Sequence, residues 1–342
     1  MSLKNLSVKT KIPNYLKQKL VNKKINQIYH NFEKSLNVNK AFIVAVSGGP
    51  DSLALAFLAK MFSIKNKITS RFFIIDHKLR KESSKEARTV KNELKKISID
   101  AQILTWKGKK PSRNIQSLAR KKRYELLFKK CNDLKIYNIL LGHHLDDLFE
   151  NFFIRIFRGS GLKGLTSLNK SFQIGNINLL RPLLNFEKKD LIFLSKFIFN
   201  FYIQDPSNED EKFLRIKIRK IINGVKKNGL DNRNFLKTIN NLRSSDDVIK
   251  FYIQENLKQN SCFLTKKNQY ILNRDFFHQP YEITFRALSE IIRCIGNKYY
   301  PSRGKKLDNI IVAIQNNSFS KLTLGRCVIE KVNQTVIISK ES

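Results

Sequence analysis

The sequence predicts an α/β fold: a doubly wound parallel sheet followed by a helical region and a small β region. From residue 41 onward, short apolar runs alternate with segments of helical periodicity. These runs are too continuously apolar to leave one face in solvent, which indicates strands covered by helices on both sides. The first run, residues 42–46, passes directly into the glycine-rich turn SGGPDS. In doubly wound sheets such turns lie at the carboxyl ends of the strands, where ligands bind.

The first half of the chain is expected to alternate strand and helix, and this repetition favours a parallel sheet. Ser83 and Glu86, three residues apart, predict a capping box at the start of one helix. The expected strands are residues 42–46, 71–75, 100–106 and 137–141. The expected helices are residues 25–36, 52–62, 83–96, 115–131 and 146–158.

The order of elements changes after Gly164. The polar stretch QDPSNEDEK, residues 204–212, is the strongest domain-boundary pattern in the chain. The elements expected in this part are a hairpin at residues 172–174 and 177–180, helices at 187–200, within 213–258, at 281–295 and at 305–316, and strands at 321–324, 327–331 and 335–339. We therefore predict a basic lead-in with a helix at residues 1–38, an α/β domain at 39–210 and a helical, then β, region at 211–342.

The charge of the chain points to a polyanionic partner. The formal net charge is +37, and nucleic acid is the first candidate for such an excess of Lys and Arg. Abundant Lys, Asn, Ile and Phe are also typical of coding bias in an AT-rich genome, so charge alone leaves both explanations open. No apolar run reaches the ~18–20 residues that a membrane span needs. Membrane association is therefore not expected.

The cysteines argue for a reducing compartment. Cys131, Cys262, Cys294 and Cys327 are scattered singly, with no CxxC pair. This spacing disfavours a disulfide framework and also a zinc or iron–sulfur site held by thiolates. We predict a cytoplasmic location.

The SGGPDS turn has the chemistry of an anion site. A strand that ends in such a turn and enters a helix offers backbone N–H groups and the positive helix end to an anion. Gly48 and Gly49 permit positive φ, Pro50 suits the helix start, and the hydroxyls of Ser47 and Ser52 can donate. No G-K-[ST] follows, so the turn is not a Walker A loop. The purely structural alternative is a capped strand-to-helix turn that binds no ligand. A second glycine-rich stretch, GSGLKG at residues 159–164, follows a helix and is better explained as a helix C-terminus.

Titratable side chains follow two other strands of the predicted sheet. Asp76 and His77 come after the second strand, and HHLDD, residues 143–147, comes after the fourth. Asp146 and Glu150 are four residues apart and therefore share a helix face. A metal site formed by these residues alone is disfavoured, because H-x-x-x-H and H-x-E spacings are absent. The alternatives are helix-dipole carboxylates with a solvated histidine pair, and a turn capped by Asp76.

A basic cluster lies on the helix predicted at residues 115–131. Arg120 and Arg123 flank two lysines and are followed by Tyr124, with Arg113 shortly before. A charge run usually marks a solvated helix face. Beside an aromatic ring in so basic a chain, contacts to a phosphate backbone are the functional alternative.

Taken together, the sequence motifs of this chain resemble those of a known family. SGGPDS resembles the SGGxDS signature of the N-type ATP pyrophosphatases, the PP-loop superfamily of adenine nucleotide alpha hydrolase-like fold. Within that superfamily the chain is similar to the tRNA(Ile)-lysidine synthetases over roughly residues 40–340. The motifs that resemble the family, in its order, are IDHKLR (75–80), ARKKRY (119–124), GHHLDDLFEN (142–151), RGSGLKGL (158–165), RPLL (181–184), PSRGKKLDNI (301–310) and LGRCVIE (324–330). The chain departs from the family at two points: the family's RNxIR becomes Arg215-Ile-Lys-Ile-Arg219, and its LGGC becomes LGRC.

The resemblance implies an activity and a set of site residues. The activity is ATP-dependent ligation of L-lysine to C2 of the wobble cytidine of tRNA(Ile) with a CAU anticodon, through an adenylated cytidine. ATP would contact Ser47, Gly48, Gly49, Pro50, Asp51 and Ser52, with Asp51 also holding Mg²⁺. Asp51, Asp76, His143, Asp146 and Asp147 are the catalytic or lysine-binding candidates. Arg113, Arg120, Arg123, Arg215 and Arg219 are the candidates for contacts to phosphate or tRNA.

Two other functions remain as alternatives from the sequence. One is a tRNA thiolase of the same superfamily, although such enzymes generally need paired cysteines. The other is a non-catalytic basic RNA-binding protein. The sequence leaves the oligomeric state open, a homodimer included.

Overall fold

The computed structural model describes residues 14–80, 82–108, 115–204, 214–298 and 304–341. The chain divides into two compact units, Met1–Leu230 and Asp231–Ser342. The boundary predicted after residue 210 differs from this division by one helix, Leu214–Lys227. That helix belongs to the first unit because it packs against the helix Leu145–Phe157. The polar stretch at residues 204–212 lies almost wholly outside the described residues.

The first unit contains a six-stranded sheet of order β3-β2-β1-β4-β6-β5. Its strands are β1 Phe42–Val46, β2 Ser70–Asp76, β3 Ala101–Thr105, β4 Asn138–Leu140, β5 Ser171–Ile174 and β6 Ile177–Leu180. β1 pairs in parallel with β2 and β4, β2 with β3, and β4 with β6. Only the edge strand β5 is antiparallel in this sheet, because a tight turn at Gly175, with φ of 57°, reverses the chain into β6. The predicted doubly wound parallel sheet is confirmed, with the predicted hairpin added at its edge.

The helices of this unit cover both faces of the sheet. They are α1 Asn14–Lys19, α2 Lys23–Ser35, α3 Pro50–Lys65, α4 Ser83–Lys96, α5 Ile115–Leu134, α6 Leu145–Phe157, α7 Leu162–Leu165, α8 Lys188–Phe199 and α9 Leu214–Lys227. Phe42 and Val44 of β1 point into one apolar cluster and Ile43 into the other, and all three are fully buried. Burial on both faces is why β1 shows no alternation in sequence. Each such side chain stabilises the fold by about 1.5–3 kcal/mol. The sheet therefore presents a rigid carboxyl edge to the site.

One local prediction in this unit is wrong. Ser83 does not form a capping box with Glu86, because the N-cap residue of α4 is Glu82 and no side chain caps it. The Ser83 hydroxyl instead donates to Asp76 Oδ1 at 2.9 Å and to the Arg80 carbonyl at 3.0 Å. Ser83 is therefore the first residue of α4 and not its N-cap, and its hydroxyl donates a charge-assisted hydrogen bond to the buried Asp76 carboxylate.

The second unit consists of helices against an antiparallel sheet of order β7-β8-β11-β10-β9. Its elements are α10 Asn232–Asn260, β7 Ser261–Leu264, β8 Gln269–Leu272, α11 Tyr281–Ile295, α12 Gly304–Gln315, β9 Lys321–Leu324, β10 Cys327–Val332 and β11 Thr335–Lys340. The hairpin β7–β8 was not predicted; its strands are short and a 3-10 turn ending at Asn268 joins them. Arg286 of α11 donates to Asp246 of α10 at 2.5 Å, and both side chains are buried.

Among the described residues, no helix is both long and apolar enough to cross a membrane.

Candidate active site

The turn after β1 depends on Gly48. Gly48 has φ of 89°, and a Cβ there would lie 2.6 Å from Val90 Cγ2 and 2.8 Å from Ile203 Cδ1. Its carbonyl accepts a hydrogen bond from the Ile203 N–H at 2.9 Å. Gly49 has φ of −70° and is the N-cap residue of α3, so Gly48 adopts the positive φ that glycine permits and Gly49 does not. Pro50 begins α3, two residues before the predicted helix start.

The Ser52 hydroxyl organises this turn from inside. Ser52 Oγ accepts from the N–H groups of Ser47 and Gly48, each at 3.1 Å. It donates to the Gly49 carbonyl at 2.9 Å and lies 3.2 Å from Ser47 Oγ. The N–H groups of the first turn of α3 have no partners within the helix, as at any helix start, and they supply the anion-binding donors. Ser52 therefore shapes the loop, while the backbone of α3 presents it to an anion.

Asp51 lies where the turn meets the end of β4. A Cβ on Gly142 would lie 3.3 Å from both Asp51 C and Ser52 N, so glycine at this position permits close backbone approach. His144 Nε2 lies 3.5 Å from Asp51 Oδ2 and 3.6 Å from Asp147 Oδ2. Asp51 Oδ1 is buried and has no hydrogen-bond partner among the described residues. A carboxylate oxygen of this kind fits Mg²⁺, which proteins commonly hold with one or two carboxylates plus substrate phosphates.

The start of α6 holds the second half of the site. His144 is its N-cap residue: His144 Nδ1 accepts from the Asp146 N–H at 3.2 Å, and Asp147 Oδ2 accepts from the His144 N–H at 3.0 Å. Burial alone would raise the pKa of Asp147, but His144, His143 and Arg215 lower it below its usual range. The His144 ring is 5% exposed, so the alternative of a solvated histidine pair is wrong. This cap fixes Asp147 beside Asp51.

His143 is a neutral imidazole at neutral pH. Burial, supported by the charges of Arg181, Arg120 and Arg123, lowers the pKa of His143 to about 4 although Asp147 opposes the shift. His143 Nδ1 is buried and has no hydrogen-bond partner in the described part of the chain. The ring can therefore accept or donate one hydrogen bond to a substrate.

The Asp76 carboxylate accepts hydrogen bonds from the segment that connects β2 to α4 and from the start of α4. Its Oδ1 accepts from the Lys78 N–H at 2.9 Å and from Ser83, and its Oδ2 accepts from the Ser84 hydroxyl at 2.6 Å. Burial raises the pKa of Asp76, but these hydrogen bonds outweigh burial and lower it. The geometry matches the turn-capping alternative, and a catalytic role for Asp76 stays a prediction.

His77, next to Asp76, faces a ring and a cation. Its ring lies edge-on to Trp106, with centroids 6.4 Å apart. Burial, then the charge of Arg123, lowers the pKa of His77 to about 4. Neither ring nitrogen has a hydrogen-bond partner among the described residues.

Guanidinium groups converge near the two histidines. Arg120 donates to the Tyr124 hydroxyl at 3.3 Å, and burial lowers the pKa of Arg123. Arg181, after β6, is 6% exposed and donates to the Asn169 carbonyl at 2.8 Å. The predicted Arg113 lies outside the described residues. The sequence did not single out Arg181 as a site residue, although the motif RPLL contains it.

The outer face of α6 pairs with α9. Arg219 Nε donates to Glu150 Oε1 at 2.5 Å, and Lys226 Nζ donates to Asp146 Oδ1 at 2.8 Å. Asp146 and Glu150 therefore share a face, as their spacing predicts. Arg219, expected at a phosphate, is paired with a carboxylate in this structure. Glu150 was not among the predicted catalytic residues; its place in the motif GHHLDDLFEN was the available indication.

Comparison with known proteins decides the family. A family model described as a PP-loop domain matches residues 17–225. A tRNA(Ile)-lysidine synthase of Orientia tsutsugamushi (strain Boryong) is 34% identical over 326 residues, which cover 91% of this chain and 73% of that protein. The chain belongs to the tRNA(Ile)-lysidine synthase family. Another member, from Wolbachia pipientis wMel, is 32% identical over 309 residues, or 89% of this chain and 71% of that protein. The family consists of ATP-dependent ligases, so the chain is an enzyme of that class.

A solved structure shows the same fold in another enzyme. A U34-tRNA thiolase from Methanococcus maripaludis, solved with its 4Fe–4S cluster, covers 64% of this chain and 79% of its own, with a TM-score of 0.54 and 17% identity. At that identity the likeness concerns the fold alone. Among the described residues, no group of three or more His, Cys, Asp or Glu side chains could hold a metal, and all four cysteines are free. The curated relatives, all named tRNA(Ile)-lysidine synthase, support the synthase family over the thiolase alternative.

Proposed function

We propose that the chain ligates L-lysine to C2 of the wobble cytidine of tRNA(Ile) with a CAU anticodon, converting ATP to AMP and pyrophosphate. One observation carries this proposal: His144 lies between Asp51 of the SGGPDS turn and Asp147 of α6. A single imidazole therefore joins an anion site to a cluster of carboxylates. Ligation of an amine with ATP needs both, one for the leaving pyrophosphate and one for the incoming ammonium.

The first step activates the base. The C2 oxygen of cytosine is a poor leaving group, so it attacks the α-phosphate of ATP and pyrophosphate departs. The turn and the N-terminus of α3 bind the departing pyrophosphate through backbone N–H groups. Mg²⁺, held by Asp51, would supply charge neutralisation for the phosphates. Arg120, Arg123 and Arg181 provide further positive charge near the histidines, where the adenylate forms.

The second step attaches lysine. The α6 carboxylates bind the ammonium group of free lysine, which must lose a proton before it attacks C2. Neutral His143, beside Asp147, can accept that proton. The amine forms a bond to C2, the bond between C2 and its oxygen breaks, and AMP leaves with the former C2 oxygen. Thus Asp147 and His143 act on the amine, while Asp51 acts on the phosphates.

The RNA needs a larger surface than this site. Arg215 and the basic helices after α9, within the region predicted at residues 211–342, are proposed to hold the tRNA backbone. Free, scattered cysteines accord with the cytoplasm, where tRNA is modified.

Labelled lysine tests the proposal. Purified protein is incubated with ATP, Mg²⁺, radiolabelled L-lysine and either tRNA(Ile) with a CAU anticodon or the same tRNA with C34 replaced by U. We expect ATP-dependent label in the first tRNA and none in the second. Tight tRNA binding without label or AMP release would instead show a non-catalytic RNA-binding protein and contradict the proposal.

A further inference from the structure

The inner face of α9 places a lysine ammonium against α6. Lys226 Nζ lies 2.8 Å from Asp146 Oδ1 and 4.6 Å from the centroid of the Phe149 ring. A carboxylate combined with an aromatic face is a general recognition site for an alkylammonium group. The two α6 side chains therefore form an ammonium site, and a residue of this chain already occupies it.

The occupant has the chemistry of the proposed substrate. The side chain of Lys226 and the side chain of free L-lysine carry the same butylammonium group. The charges of Asp146 and Asp147 both act on Arg219 of α9, so both carboxylates lie within electrostatic reach of that helix. Asp147 Oδ2 in turn lies 3.6 Å from His144 Nε2, which lies 3.5 Å from Asp51 Oδ2. The ammonium site at Asp146 is therefore connected to the phosphate site through Asp147 and His144.

We propose that Lys226 is an internal competitor that fills this ammonium site until free lysine displaces it. The inference rests on the proposed function, because that function identifies lysine as the ligand. Lys226 then tunes the apparent affinity for lysine without taking part in the chemistry. When only a fraction of the protein is in its binding-competent form, the apparent Kd equals the intrinsic Kd divided by that fraction.

The exposure of the two α6–α9 ion pairs supports displacement at Lys226. The side chains of Lys226 and Asp146 are 29% and 33% exposed, so solvent can replace either partner. The Glu150 side chain, paired with Arg219, is only 4% exposed. Opening that pair would leave the Glu150 carboxylate buried without its partner, and this costs more free energy than opening the part-exposed Lys226–Asp146 pair. The Arg219–Glu150 pair therefore holds α9 in place while the Lys226–Asp146 pair exchanges.

The test compares Lys226→Met with Lys227→Met. Methionine keeps the length and apolar stem of Lys226, so contact with Phe149 is retained while the charge is lost. Lys227 is its exposed neighbour, and its replacement removes the same charge from the same helix. Steady-state kinetics in lysine, at saturating ATP and tRNA, give KM and kcat for each variant, and calorimetry with L-lysine alone gives Kd. Thermal unfolding checks that each variant is folded.

We expect Lys226→Met to lower KM and Kd for lysine roughly 5- to 30-fold, the size of one part-exposed ion pair plus one cation–π contact. Its kcat should stay within about twofold, and Lys227→Met should resemble the wild type in all three parameters. An unchanged or raised KM in a folded Lys226→Met protein overturns the inference. Wild-type protein that forms no lysidine refutes the proposed function instead, so the two failures are distinct.

Discussion

The two halves of the site are held together in different ways. The turn after β1 is fixed mainly by residues close in sequence, with Ser52 bonded to the backbone of Ser47, Gly48 and Gly49. A distant hydrogen bond, from the Ile203 N–H to the Gly48 carbonyl, adds to these local bonds. The α6–α9 corner is fixed by ion pairs between residues 69 and 80 positions apart. Backbone strain and local hydrogen bonds leave the turn one conformation, whereas ion pairs can exchange partners. The site thus combines a preformed anion-binding turn with a cation-binding corner whose ion pairs can exchange.

The largest effect is expected at the turn, from Gly48→Ala. The new Cβ would collide with Val90 and Ile203 and would strain a residue at φ of 89°. We expect a loss of about 2–4 kcal/mol in the free energy of unfolding. ATP-dependent AMP formation should fall about 100-fold or more, since small displacements of reacting groups are costly. Chemical unfolding and AMP release measure the two quantities.

Gly175→Ala is the matched control for that change. Gly175 also has a left-handed backbone, with φ of 57°, but a Cβ there meets nothing within 4 Å. Its cost should be about 1 kcal/mol with activity retained. Equal losses in both variants would mean that strain, and not the close approach to Val90 and Ile203, makes glycine necessary at residue 48.

Asp51→Ala should separate chemistry from binding. Without its carboxylate we expect AMP formation to fall about 100- to 1,000-fold, while tRNA affinity stays within a few-fold. Asp133→Ala, which removes an exposed carboxylate from α5, is the control and should leave AMP formation unchanged. AMP release and filter binding to tRNA measure both properties. A folded Asp51→Ala protein that loses tRNA binding would assign Asp51 to RNA contact instead.

Glu150→Gln and Asp146→Asn compare the two ion pairs of the corner. Glu150→Gln leaves Arg219 partly buried beside a neutral group and should lower the free energy of unfolding by about 2–4 kcal/mol. Asp146→Asn breaks a pair whose side chains are 29% and 33% exposed and should cost at most about 1 kcal/mol. Chemical unfolding at pH 7 tests the order. The reverse order would contradict the assignment of Glu150 as the fixed contact and Asp146 as the exchangeable one.

The smallest effect is a pH dependence from Asp76. Its pKa is lowered in the folded protein, so the charged carboxylate contributes stability above about pH 4 that is lost as the pH falls through its folded pKa. Ser84→Ala removes the 2.6 Å hydrogen bond to Oδ2 and should reduce this contribution by about 1 kcal/mol. Unfolding from pH 6 to 3 measures it. Identical pH profiles for the two proteins would show that Ser84 does not hold the charge.

The difference between the two halves also explains what could be predicted from sequence. The turn, α3 and the alternation of strands and helices follow from local patterns, and the i, i+4 spacing of Asp146 and Glu150 predicted their common face. The partners of these carboxylates could not be predicted, because no local pattern relates α6 to a helix so distant in sequence. The capping box at Ser83 failed for a similar reason: buried Asp76 competes for the hydroxyl, and burial is a property of the fold.

The most direct test of the mechanism is to omit lysine. ATP labelled at its α-phosphate is incubated with the protein, Mg²⁺ and tRNA(Ile) with a CAU anticodon, and the tRNA is then isolated. The two-step account predicts label on the tRNA before lysine is added, and its release as AMP, one for each lysine incorporated, once lysine is supplied. Incorporation of lysine without any lysine-independent labelling of the tRNA would contradict an adenylated cytidine formed before the amine attacks.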